Sequence, residues 1–156
     1  MKKFLRGFAF AAQGIAHAVR TERNLRFHLC AAAFAVFFAA RFYELSRAEW
    51  AALLLTFAAV MSAEMFNTAL ERLADKVSPE RDELVRRCKD CAAGAVLITA
   101  VFSVGVGAAL FWDTERFSEI LGYFSAEWRR PALLVMALAA AVCVVFLPEK
   151  FTKKQR

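Results

Sequence analysis

The chain has 156 residues, 60% of them hydrophobic, with a mean hydropathy of +0.42 and a net charge of +6. That is room for one domain, and it is too apolar for a small soluble one, so the composition is that of a polytopic membrane protein. The bases lie beside apolar runs, where they suit anionic lipid headgroups better than nucleic acid.

Residues 1–20 predict an amphipathic helix. Phe4, Leu5, Phe8, Ala12, Ile15, Ala16 and Val19 share one arc, and Lys3, Arg6, Gln13, His17 and Arg20 the other. An arc of bases against an arc of Phe, Ile and Leu fits a helix lying in the bilayer interface. Bases interrupt any apolar stretch a secretory signal would need, and no small-x-small cleavage site follows one. Residues 21–28, TERNLRFH, carry Glu22 and Arg26 four apart, a spacing that predicts an ion pair along one helix face. His28 reads as a buried, satisfied histidine and not as a metal ligand.

Four apolar runs follow, at residues 27–42, 50–70, 91–112 and 132–147. The first and last are shorter than the roughly 20 residues of a standard span, so flanking residues must complete them. The third includes VGVGAA from Val104, small residues that permit close helix contact. The expected architecture is all-α and membrane-integral: an interfacial helix, three core spans and a fourth, C-terminal span. Residues 1–112 form the core and 113–130 an extracytoplasmic link with Phe117, Leu121, Tyr123, Phe124 and Trp128. Residues 131–156 form the extra span and a basic tail. Most of the 21 bases fall before the first span, between the second and third, or after the fourth. The positive-inside rule then places both termini and the 73–90 loop on the cytoplasmic side of the membrane.

The second run ends in MSAEMFNTALERLADK, where Glu64, Asn67, Thr68, Glu71 and Asp75 fall at i, i+3, i+4, i+7 and i+11. On a helix these share one face. A carboxylate near lipid pairs, protonates or serves a function. The stripe therefore predicts a cation opposite it, from a neighbouring helix or from a ligand. In the loop beyond, Ser78-Pro79 with Glu83 in the following turn reads as a helix start. Cys88 and Cys91 form a C-x-x-C with no second pair nearby, so a thiolate metal site is not expected and the four cysteines read as free thiols. No G-x-x-x-x-G-K-[ST] and no kinase Gly-rich loop occurs. Nucleotide binding would need Mg²⁺ held by carboxylates together with substrate phosphates, a role open to Glu22 and Glu71.

E-x-N-x-R-x-H at residues 22–28, E-x-x-N-T-A-x-E at 64–71, Asp75 and K-D-x-A-A-G-A-V-L at 89–97 stand in order. Together they resemble the integral-membrane diacylglycerol kinase and undecaprenol kinase family of prokaryotes, over residues 3 to 112. The resemblance implies a homotrimer that transfers the γ-phosphoryl group of MgATP to a membrane lipid hydroxyl, with no nucleic-acid partner. It implies Glu64 as the catalytic base, and Glu22 and Glu71 as carboxylates on the metal. Glu22, Glu71, Glu80, Arg81, Asp82, Lys89 and Asp90 become ATP contacts. Asn67, Asp75, Asn24 and Arg26 become substrate or supporting residues. The E-R-N-x-R-x-H and N-T-A forms look more like undecaprenol kinases than enteric diacylglycerol kinases, and the fourth span departs from the three-span family form. A small proton-coupled four-span transporter is the competing class. It would account for Glu64 but not for Glu22, Lys89-Asp90 or the interfacial helix.

Overall fold

The structure, a computed structural model, describes residues 2–78 and 82–147, and all regular structure in them is helical. The helices are α1 (Lys2–Thr21), α2 (Arg23–Phe42), α3 (Arg47–Val77), α4 (Glu83–Phe111), α5 (Thr114–Ser125) and α6 (Arg129–Val145). Three of them, α2, α3 and α4, are long and apolar enough to cross a membrane. The α5–α6 pair, bent by 102° at its break, makes a fourth candidate span. The all-α membrane architecture expected from the sequence is the one observed.

Phe4, Leu5, Phe8, Phe10 and Ile15 of α1 all stay exposed, as an interfacial helix requires. Ser46 starts α3 with a capping box: its hydroxyl accepts from the Glu49 amide, and its own amide donates to Glu49 Oε2 at 2.7 Å. With 31 residues, α3 is about 46 Å long at 1.5 Å per residue, against about 30 Å of hydrocarbon. Its acid-bearing end therefore projects towards the interface. Ser78, expected to open a helix with Pro79, instead ends α3 as its C-cap, and Pro79 lies outside the described residues. The next helix starts at Glu83, where the Asp82 carboxylate accepts from the Leu84 and Val85 amides.

α3 and α4 pack most extensively, and α2 touches α1, α3, α5 and α6. Ala32 and Ala39 are buried on α2, small residues where helices come close. No residue of α4 is buried. α6 runs antiparallel to α2. At one end Tyr123 and Phe124 lie against Phe42, and the Arg41 and Arg130 guanidinium groups sit 4.5 and 4.1 Å from the Tyr123 ring. At the other end Arg26, 5% exposed, holds the last carbonyls of two helices. Its Nη1 donates to Arg20 O at 2.9 Å and Val19 O at 3.3 Å. Its Nε and Nη2 donate to Val145 O at 3.3 and 3.0 Å, and Nη2 also reaches Leu147 O at 3.3 Å. Arg26 thus caps α1 and α6 together, so the expected Glu22–Arg26 pair does not form. A buried guanidinium gains more from several carbonyls than from one partly exposed carboxylate.

Arg26→Ala is expected to lower stability by about 3 kcal/mol or more, the scale of hydrogen bonds to a charged group, read as a fall in Tm in detergent micelles. Arg26→Lys, with a point charge in place of a planar fork, should recover only part of it. An alanine variant as stable as its parent would show that the clamp contributes nothing.

Candidate functional site

Glu64 lies on α3 with 4% of its surface exposed. Facing it from α2 is His28, whose Nε2 is 3.4 Å from Glu64 Oε1. Where a cation was expected opposite the acid stripe, an imidazole faces Glu64, and the lysine ammonium of Lys89 on α4 meets Asp75 further along. One turn along, Asn67 Nδ2 donates to Glu71 Oε1 at 2.9 Å, while Asn67 Oδ1 is buried without a partner. Thr68 is buried beside them.

Glu22 sits where the chain breaks between α1 and α2. Its backbone is extended and its side chain makes no capping bond, so the carboxylate is free to turn to α3. There Arg72 Nη2 donates to Glu22 Oε1 at 2.7 Å and to Thr21 Oγ1 at 2.5 Å, while Nη1 meets His17 Nε2. The Thr21 hydroxyl is itself 3.0 Å from Glu22 Oε1. Both Glu22 and Glu71 lie within electrostatic range of Glu64. The structure thus gathers Glu64, Asn67 and Glu71 of α3 and Glu22 of the α1–α2 break within a single chain.

The remaining expected residues lie around this group. Lys89 of α4 pairs with Asp75 near the end of α3. Asp90 takes Arg86 at 3.3 Å, and Asp82 is the α4 cap. Glu80 and Arg81 lie outside the described residues. Asn24 lines a separate cavity of about 500 Å³ between α2 and α6, and Arg26 serves the helix clamp. Sequence reasoning missed Arg72, His17 and Thr21 as neighbours of Glu22. The available signal was that an acid at a membrane boundary needs a base, and Arg72 directly follows Glu71.

Among the described residues, no three His, Cys, Asp or Glu side chains are placed to hold a metal by themselves. Mg²⁺ is commonly held by one or two carboxylates, with substrate phosphates and water completing its shell. Glu22, Glu71 and the orphaned Asn67 oxygen are oxygen acceptors of the kind such an ion takes, although Glu22 Oε1 is engaged by Arg72 and Thr21. An apolar cavity of about 230 Å³ leads away from His28 between α2, α3 and α4, as far as Phe111. Its two hydroxyls are turned back onto their own helices, Thr56 to Ala52 O and Ser103 to Ala100 O, each at 2.7 Å.

A buried carboxylate paired with a histidine that lines an apolar cavity, with two further acids within electrostatic range, is an arrangement suited to chemistry on a lipid. The chain belongs to the prokaryotic diacylglycerol kinase family, whose sequence model matches residues 9–111, and it is a lipid kinase. It is 39% identical over 111 residues to the undecaprenol kinase of Bacillus subtilis, a match covering 71% of this chain and 89% of that protein. It is 42% identical over 104 residues to a diacylglycerol kinase of Synechocystis, covering 66% of this chain and 59% of that one. To the diacylglycerol kinase of Escherichia coli K12 it is 37% identical over 54 residues, 35% of this chain and 44% of that protein. No solved structure matches.

Asn67→Ala is expected to change Tm little, because losing its bond to Glu71 is offset by removing an unsatisfied buried oxygen, each worth about 1 kcal/mol. Lipid phosphorylation should nevertheless fall about tenfold or more. Unchanged turnover would mean that the amide does not serve the reaction.

Proposed function

We propose that the protein transfers the γ-phosphoryl group of MgATP to the hydroxyl of a polyprenol such as undecaprenol. The observation that carries this reading is Glu64, buried and paired with His28, the polar residue at one end of the apolar cavity. A polyprenol is a hydrocarbon with a single hydroxyl, and the cavity wall offers almost no free polar group except at the His28 end. A diacylglycerol brings two ester groups that such a wall would leave unpaired. The identity to the Bacillus enzyme over most of its length supports the same choice.

In the reaction, Glu64 accepts the proton of the lipid hydroxyl as that oxygen attacks the γ-phosphorus and ADP leaves. His28 fixes the orientation of the carboxylate and lies beside the arriving hydroxyl. Glu22 and Glu71 would hold Mg²⁺, which supplies charge neutralisation on the phosphates. Lys89 and Asp90 would meet the nucleotide, with Lys89 exchanging Asp75 for phosphate. The transporter reading has no use for this second set of residues. The bases of the acid-bearing end support a cytoplasmic site. With α6 running back along α2 as a fourth span, both termini lie on that side.

We further propose a homotrimer, supported by the family resemblance and by α4, which packs on α3 yet has no fully buried residue within one protomer. Glu22, Glu64 and Glu71 meet in one chain while Lys89 stands apart on Asp75. A shared site would therefore take Lys89 from a neighbour. Co-assembling Lys89→Ala with Glu64→Gln protomers should restore part of the activity that each variant lacks alone. No recovery in verified mixed trimers would place each site within one chain.

The function itself is tested with purified protein, MgATP and a panel of lipid alcohols. Undecaprenol should be phosphorylated faster than diacylglycerol in the same micelles; the reverse order would make it a diacylglycerol kinase. Glu64→Gln should cut turnover by about 10²-fold or more, the scale of general-base loss, with MgATP affinity little changed. Glu71→Gln should instead weaken MgATP binding and raise the Mg²⁺ requirement. A folded Glu64→Gln variant with near-parental turnover removes Glu64 from the mechanism.

A further inference from the structure

We propose that Arg72 is a phosphate-binding residue of this site, stored on Glu22 until the nucleotide arrives and then transferred to the γ-phosphoryl group. This deepens the lipid kinase reading and rests on it.

Three features carry the inference. The Arg72 guanidinium lies on Glu22 Oε1 at 2.7 Å, and Glu22 is one of the two carboxylates that fit the metal. Arg72 lies on the same turn of α3 as Glu71, the other one, about 100° round the helix and on the face that meets Glu22. It is also partly exposed, with its side chain 43% accessible, so it can turn without unpacking the bundle.

Charge balance sets the direction of the change. Glu22, Glu64 and Glu71 already place three acids together, and a nucleotide triphosphate adds more negative charge than one divalent ion removes. Among the described residues, the cationic or protonatable partners bonded to these acids are His28 and Arg72. His28 faces Glu64, on the lipid side. Were a metal ion to engage Glu22, Arg72 would lose its carboxylate partner while Thr21 and His17 stayed beside it. A guanidinium released beside a phosphate pairs with it, and its planar fork matches two phosphate oxygens at once. Charge that builds on the transferred group then meets a fixed cation. The phosphoryl group still passes from ADP to the lipid oxygen and the proton still goes to Glu64; Arg72 exchanges no proton.

The test compares ATP with ADP, both with Mg²⁺, by equilibrium binding to full-length Arg72→Ala and Arg72→Lys in micelles. Tm and oligomer size are read on the same preparations. ATP affinity should fall about tenfold, the scale of a charge-assisted hydrogen bond, while ADP affinity holds or rises because Glu22 is no longer contested. Turnover should fall about 10²-fold or more even at saturating ATP. Should the alanine variant fail to fold, the lysine variant, which keeps the charge against Glu22, gives the same comparison. Equal losses for ATP and ADP, or lost Tm with unchanged nucleotide preference, would assign Arg72 to docking of α1 and overturn the proposal. Absence of lipid phosphorylation by the parent protein would instead overturn the kinase reading beneath it.

Discussion

The carbonyls that end a helix need donors, and inside a membrane water supplies few of them. In this protein one guanidinium answers for two helices. Arg26 binds Val19 and Arg20 at the end of α1 and Val145 and Leu147 at the end of α6. The position of the interfacial helix, of the first span and of the C-terminal helix follows from it. So does the break between α1 and α2, which falls at Glu22, four residues before Arg26. With the ends of α1 and α6 fixed, Glu22 has no capping duty and only α3 to face. The clamp and the site are thus neighbouring outcomes of one arrangement, and the first is what leaves the second its free carboxylate.

Charge in the site is divided by depth. Glu64 is buried and meets an imidazole, which can be neutral and costs little to desolvate. Glu22, nearer water, meets a guanidinium, which is always charged. The deep carboxylate therefore keeps a partner that need not carry charge, and the shallow one keeps a permanent cation. Asn67 links the two levels by bonding Glu71 while leaving its own oxygen unpaired.

The spans were legible because hydropathy is a one-dimensional signal: each apolar run lies almost entirely within a described helix. The acid stripe was legible because 3.6-residue periodicity puts Glu64, Asn67 and Glu71 on one face without any knowledge of a partner. What faces them was not legible. Glu22 and Arg26 sit at ideal spacing for a pair, yet the break at Glu22 takes the carboxylate off the helix face and burial commits Arg26 to carbonyls. Arg72 reads as an ordinary exposed base until α1 is folded against it, because fifty residues of chain separate it from Glu22. Ser78 and Pro79 mimic a helix start, whereas Ser78 closes α3 and the Asp82 cap governs α4.

The length of α3 has a consequence for how the enzyme experiences its substrate. Glu64 lies about 26 Å along the axis from the first residue of α3, close to the boundary of a hydrocarbon layer of about 30 Å. Its height is therefore fixed by the helix, and a lipid alcohol reaches it by travelling in the plane of the bilayer. The quantity that governs encounter is the mole fraction of that alcohol among all lipids, not its amount per volume of solution. Diluting the substrate with inert lipid slows the reaction even when the molar concentrations of substrate and enzyme in the tube are unchanged.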